Sequence, residues 1–98
     1  MFGSVFKLKP KAGKTDAIKK LVEEEAKTRG PIAGFVADYQ LTEANGDLWV
    51  IAVFESEAAY RANAASSDQN TWYLKLREML ESDPEWHDGT IAKGFSNS

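Results

Sequence analysis

The residues Leu48-Trp49-Val50-Ile51-Ala52-Val53-Phe54, followed by Glu55, constrain the fold more than any other segment. A β-strand sends alternate side chains to opposite faces. In this run Leu48, Val50, Ala52 and Phe54 point one way, and Trp49, Ile51 and Val53 point the other. Both faces are therefore apolar, which places the strand in the middle of a sheet covered on both sides. A chain of 98 residues has room for one domain and one modest core. Covering two sheet faces asks for more than its own helices can supply.

The flanking segments supply the other elements. Phe2, Phe6 and Leu8 alternate with Gly3, Val5, Lys7 and Lys9 in strand fashion until Pro10 and Gly13 break the pattern. Ile18, Leu21, Val22 and Ala26 then share one helical face, with Lys19, Lys20, Glu23, Glu24 and Lys27 on the other. Thr15 or Asp16 is the expected N-cap, and Gly30-Pro31 closes the helix. A strand follows from Ala33 to Glu43, with Phe35, Ala37, Tyr39 and Leu41 facing one way. Asn45-Gly46-Asp47 turns it into the doubly apolar strand as a hairpin. A helix is expected from Ser56 to Ala64, a break and fresh N-cap within Ala65-Ser66-Ser67-Asp68, and a second helical piece from Asp68. Trp72, Leu76, Met79 and Leu80 share a face of that piece, which Ser82-Asp83-Pro84 terminates. Trp86 to Gly94 reads as a last strand and Phe95 to Ser98 as a tail.

Strand, helix, strand, strand, broken helix, strand is the βαββαβ order of ferredoxin-like α+β domains. Residues 1–98 form a single such domain, with a four-stranded antiparallel sheet and strands one and three at its centre. Right-handed crossovers put the helices on one face only. A second copy of the chain is the simplest cover for the other face, because identical patches satisfy each other across a twofold axis. The expected assembly is a homodimer with its sheets face to face. The alternative, an open sheet with exposed aromatics, carries an aggregation liability.

Charge and composition remove several functions. Fifteen acidic residues against twelve basic ones give a net charge of -3, so nothing electrostatic favours nucleic acid or an anionic membrane as partner. The absence of cysteine excludes disulfides, thiolate metal sites, iron–sulfur clusters and cysteine nucleophiles. The N-terminal residues do not read as a signal peptide, and no window approaches the ~18 apolar residues of a membrane span. A cytoplasmic address is expected. Gly30-Pro31-Ile32-Ala33-Gly34 is no phosphate loop, since it ends in a strand.

The stretch Phe54-Glu55-Ser56-Glu57-Ala58-Ala59-Tyr60-Arg61-Ala62-Asn63, with Trp72-Tyr73-Leu74-Lys75-Leu76-Arg77 after it, resembles the antibiotic biosynthesis monooxygenase domain. Lys9-Pro10-Lys11-Ala12-Gly13-Lys14 is similar to the end of that family's first strand and its loop. The likeness runs along almost the whole chain in length, element order and turn placement. It implies a dimeric α+β barrel, with a pocket in each protomer between sheet and helices. It also implies, as in several members, oxidation of phenolic, anthrone or quinol-type substrates by O2 with no flavin, metal or haem. There the enzyme favours the substrate's deprotonated form, which gives an electron to O2, and polar groups steady the anion and peroxide. Other members degrade haem. This chain has no helix histidine to ligate iron, and it offers Ser4 where those members place an asparagine.

A histidine frequent in the family late in the first part of this helix is replaced by Asn63. Asparagine can hydrogen-bond a phenol or oxyanion but cannot act as a base near neutral pH. Mid-helix asparagine is a poor helix former, so Asn63 either serves a pocket or marks fraying. His87, the single histidine, is the one side chain whose ordinary pKa suits proton transfer. Neighbouring Asp88 would point to the opposite face of a strand, and a place at the dimer rim is the other reading of His87. Trp49, Trp72, Trp86, Tyr39, Tyr60 and Tyr73 either stack a planar ligand or pack core and interface. Arg61 and Arg77 could neutralise an anionic substrate or simply be solvated.

The functional expectation is a monooxygenase without a cofactor, acting with O2 on a small electron-rich aromatic or quinol-type molecule. Asn63, Tyr73 and His87 would handle the proton and the oxyanion, while Tyr39, Trp49, Tyr60, Trp72 and Trp86 hold the ring. The alternative is a non-catalytic dimeric small-molecule-binding or accessory protein on the same scaffold.

Overall fold

A computed structural model describes residues 1–95, apart from the side chain of Ala26, whose expected place on the first helix's apolar face lies outside the described residues. The expected tail is likewise described only at Phe95. In chain order the elements are β1 (Phe2–Leu8), α1 (Thr15–Thr28), β2 (Phe35–Thr42), β3 (Leu48–Phe54), α2 (Glu57–Ala64), α3 (Ser67–Glu78) and β4 (Glu85–Thr90). The strands form one four-stranded sheet in the order β2-β3-β1-β4, and every neighbouring pair is antiparallel. The doubly apolar strand is central, as its pattern requires.

Register sorts the side chains. Ser4, Phe6 and Leu8 of β1 stand opposite Ala52, Val50 and Leu48 of β3, and Trp86 and Asp88 of β4 stand opposite Phe6 and Ser4. These residues share the face under the helices. Phe6, Leu8, Leu48 and Val50 close a core there with Ile18 of α1, Leu76 of α3 and Leu80. Ile18, Leu76 and Leu80 have no solvent exposure at all, so the helical stripes are spent on this one face. The other face carries Val5, Trp49, Ile51, Val53, Tyr39 and Leu41, with His87 opposite Val5. Tyr39 is 68% exposed, Leu41 58% and Ile51 39%, so a single chain leaves much of this face uncovered. Among the described residues, no helix is long and apolar enough to cross a membrane.

Several local expectations change. Phe35 does not face the same way as Ala37, Tyr39 and Leu41: the ladder shifts between Phe35 and Ala37, pairing Phe35 with Phe54 and Ala37 with Val53. That bulge turns Phe35 to the helix side, where its ring meets Phe54 edge-on at 5.5 Å. Neither Thr15 nor Asp16 caps α1. Lys14 is the N-cap without a side-chain bond, and the Thr15 hydroxyl instead donates to Gly46 O at 3.0 Å. The fresh N-cap expected within Ala65-Ser66-Ser67-Asp68 is Ser66, which accepts from Gln69 N, whereas β4 stops at Thr90 rather than Gly94. Gly3 has a packing reason, since a Cβ there would overlap the Ala52 carbonyl and press on Ile91.

Candidate functional site

The site begins at the C-terminal end of α1. Arg29 caps the helix through its backbone N–H to Glu25 O at 3.0 Å, and Gly30, with φ of 76°, turns the chain away. This places the guanidinium under the α2–α3 junction. There Nη1 donates to Gln69 Oε1 at 2.7 Å, and Nη2 donates to Asn63 Oδ1 at 2.7 Å and Ser66 Oγ at 3.0 Å. Its one carboxylate partner, Glu25, is at 3.5 Å, and the Arg29 side chain is only 11% exposed. A buried cation costs folding energy unless its donors are matched. Here the closest matches are neutral amide and hydroxyl oxygens. Asn63 tolerates its helical position in α2 because its carboxamide oxygen has this charged partner.

Between the network and the sheet lies a cavity of about 160 Å³. Its floor is Phe6, Val50, Ala52 and Phe54, and its walls include Trp72 and Trp86, with Arg29, Asn63 and Gln69 among its polar lining. Trp86 leans on Phe6 with ring centroids 4.4 Å apart and planes at 40°. Tyr60 of α2 also lines the cavity, edge-on to Phe54 at 5.7 Å and to Phe2 at 5.4 Å. Its hydroxyl donates to Asp88 Oδ1 at 2.9 Å. Burial first, then that carboxylate, pushes the Tyr60 phenol above its ordinary pKa, with Ser4 and Arg61 opposing weakly. Ser4 lies close enough to have that effect, although its hydroxyl makes no contact of hydrogen-bond geometry among the described residues. Ser4 Oγ and Trp72 Nε1 are both buried without a partner among the described residues. A buried donor left unpaired costs about 1–3 kcal/mol. Both groups sit in the cavity lining, where a polar ligand can satisfy them.

Asn63, Tyr60, Trp72 and Trp86 thus meet at one cavity. Tyr73 does not line it: the residue packs beside the core, with its ring 6.1 Å from that of Trp86. Tyr39, Trp49 and His87 lie on the opposite face of the sheet. There the Trp49 indole N–H donates to Glu43 Oε1, and Lys7 Nζ sits 5.3 Å from the centre of its ring. His87 Nε2 is 3.2 Å from Glu85 Oε1, whereas Asp88 faces the helices and holds Tyr60. Arg61 pairs with Glu57 and Asp88, and Arg77 pairs with Asp83, all outside the cavity lining.

Arg29 and Gln69 are the site residues that reading the sequence missed. Arg29 stands beside the Gly30-Pro31 pair that closes the helix, and its type alone does not mark it. The available signal was its spacing, because Ile18, Val22, Glu25 and Arg29 follow one another at three- and four-residue steps along a single face. A charged residue ending an inward stripe has to find buried partners. Among the described residues, no cluster of three or more His, Asp or Glu side chains could hold a metal ion.

A family model described as antibiotic biosynthesis monooxygenase matches residues 1–73. The chain belongs to this family. Solved structures agree on the fold. A Deinococcus radiodurans protein provisionally assigned to the family superposes with a TM-score of 0.81 at 12% identity, covering 100% of this chain and 99% of that one. Rv0793 from Mycobacterium tuberculosis matches with a TM-score of 0.79 at 14% identity, over 97% and 98% of the two chains. An asparagine-to-alanine variant of SnoaB, a cofactor-independent oxygenase from Streptomyces nogalater, matches with a TM-score of 0.79 at 20% identity, over 95% and 94%. No curated protein matches the chain. The family match makes this a monooxygenase-type scaffold.

Proposed function

We propose that the protein is a cofactor-independent monooxygenase that takes a small electron-rich aromatic or quinol-type molecule into the cavity between sheet and helices. The observation that carries this reading is the cavity itself. Its floor and walls are aromatic and aliphatic, and its lining holds the Arg29–Asn63–Gln69 network and the unpartnered Trp72 indole and Ser4 hydroxyl. That combination suits a flat ring bearing a polar oxygen. SnoaB, on the same fold, is a cofactor-independent oxygenase.

The chemistry proceeds through the substrate. Loss of a proton, which solvent water takes up and later returns to the peroxide, gives an enolate or phenolate, whose negative oxygen gains more from hydrogen-bond donors than the neutral form does. An electron passes from this anion to O2, the resulting radical pair joins as a peroxide, and loss of water leaves a new carbonyl. One oxygen atom of O2 ends in the product and the other in water, with both hydrogens coming from the substrate. Asn63 steadies the anion, and Trp72 and Trp86 hold the ring. Tyr60, kept protonated by burial and Asp88, is a fixed hydroxyl at the wall. This reading gives no substrate contact to Tyr73, Tyr39, Trp49 or His87.

The proposal includes the homodimer, formed by pairing the faces that carry Tyr39, Leu41, Trp49 and Ile51, and a cytoplasmic address. Oxygen uptake by the purified protein, without added cofactor, across anthrones, hydroquinones and catechols tests the activity. Protein-free blanks correct for autoxidation. Uptake that scales with enzyme and falls at least tenfold in Asn63→Ala supports the reading. Uptake unchanged in that variant refutes the site, and silence across the panel moves the protein to the binding or accessory role.

A further inference from the structure

Arg29 does more than fill space beneath α2 and α3. A guanidinium has five N–H donors and no acceptor. Any carboxamide it touches must therefore turn its oxygen toward it and its NH2 group elsewhere. Arg29 imposes this on two amides at once, Asn63 Oδ1 and Gln69 Oε1, each at 2.7 Å. Asn63 Nδ2 then keeps one long contact, 3.4 Å to Gln69 Oε1. Gln69 Nε2 has no partner among the described residues. Both side chains line the cavity, as does Trp72, whose buried Nε1–H is unpaired. The polar groups at this end of the cavity thus have donors to offer and their amide oxygens already spent.

We infer that Arg29 is a positioning residue that fixes the amides of Asn63 and Gln69 as donors, so that this end of the cavity selects substrates carrying an ionised oxygen. The inference deepens the proposed function and rests on its choice of cavity. It concerns binding and orientation, upstream of any reaction with O2. Two carboxylates have to be weighed against it. Glu25 of α1 sits 3.5 Å from Arg29, farther than the amides, and offsets part of its charge. Asp38 of β2 lines the cavity but is solvent-exposed, where water screens it. The remaining ionisable group in the lining, Tyr60, stays neutral through the physiological range, with its phenol raised. Short contacts to oriented donors decide the preference over these more distant charges.

The test is the ionisation of bound 4-nitrophenol, whose anion absorbs in the visible and whose own pKa is near neutral. The wild-type protein is expected to lower the apparent pKa of the bound phenol by about one unit, a tenfold preference for the anion. Arg29→Met should abolish that shift. Arg29→Lys should recover less than half of it, because an ammonium supplies a point charge without the planar fork that orients two amides. A full shift in Arg29→Lys would overturn the positioning role. Gln69→Glu guards against misfolding, since it gives Arg29 a carboxylate partner while replacing an amide donor with acceptors. That variant should fold by circular dichroism yet bind the phenolate at least tenfold more weakly than wild type. Equal binding of phenol and phenolate by wild type, or no saturable binding at millimolar concentration, would also overturn the inference. Oxygen uptake is measured separately, so anion-selective binding without uptake counts against the oxygenase reading alone.

Discussion

Replacing Ile51 with aspartate puts the proposed pairing of sheet faces to a quantitative test. Fully burying an isoleucine side chain contributes roughly 1.5–3 kcal/mol. Ile51 is 39% exposed in the single chain. Covering that remainder is worth about 1 kcal/mol per copy, or about 2 kcal/mol across a twofold interface. Aspartate forfeits this gain and adds a carboxylate facing an apolar partner, at roughly 3 kcal/mol or more for an uncompensated buried charge. The combined loss exceeds about 5 kcal/mol, which weakens association by more than about a thousandfold. Sedimentation equilibrium at micromolar concentration should give wild type near twice 10.9 kDa and Ile51→Asp near 10.9 kDa. Because Ile51 faces away from the helices, the variant's far-ultraviolet circular dichroism should be unchanged. A variant that remains dimeric, or a wild type that sediments as a monomer, would refute the pairing.

Other changes probe the chain itself. Leu76→Ala empties a position with no solvent exposure in the core and should cost about 2–5 kcal/mol, read from urea denaturation. Gly34→Ala must hold a Cβ at φ of 75° and press it onto Ala59, so it should lower stability by more than about 1 kcal/mol in the same assay. The Tyr60 phenol is raised from 10.0 by burial and Asp88, so the folded state binds that proton more tightly than the unfolded state. The stabilisation from this site is therefore complete below an unfolded pKa of 10.0 and is lost as pH rises through the higher folded value. Wild-type urea midpoints should fall more steeply than those of Tyr60→Phe above that pH, and parallel curves would contradict the assignment.

The fold was legible because its signals are local. Alternation marks strands, three- and four-residue spacing marks helices, and the apolar pattern on both faces of β3 required a central strand. Strict alternation puts Phe35 on the wrong face, because one bulged residue reverses it without changing composition. Thr15 looked like a cap, but its hydroxyl has a distant partner at Gly46. The site was less legible for the same reason. Asn63 stands out as a poor helix former within a helix, and Tyr60, Trp72 and Trp86 as part of an unusually aromatic set. Arg29 does not, because its meaning lies in contacts to Asn63, Ser66 and Gln69, residues 34 to 40 positions away. His87 had the right chemistry, but the parity of β4 puts it on the other face, and Asp88 points inward instead.

The most direct check of the cavity as the reaction site is a crystal structure of the protein with an anthraquinone-type product bound. The ring should lie over Phe6, Val50 and Ala52 between Trp72 and Trp86, with an oxygen within hydrogen-bond distance of Asn63 Nδ2 or Trp72 Nε1. A product molecule found instead on the opposite sheet face, beside Tyr39, Trp49 and His87, would contradict it.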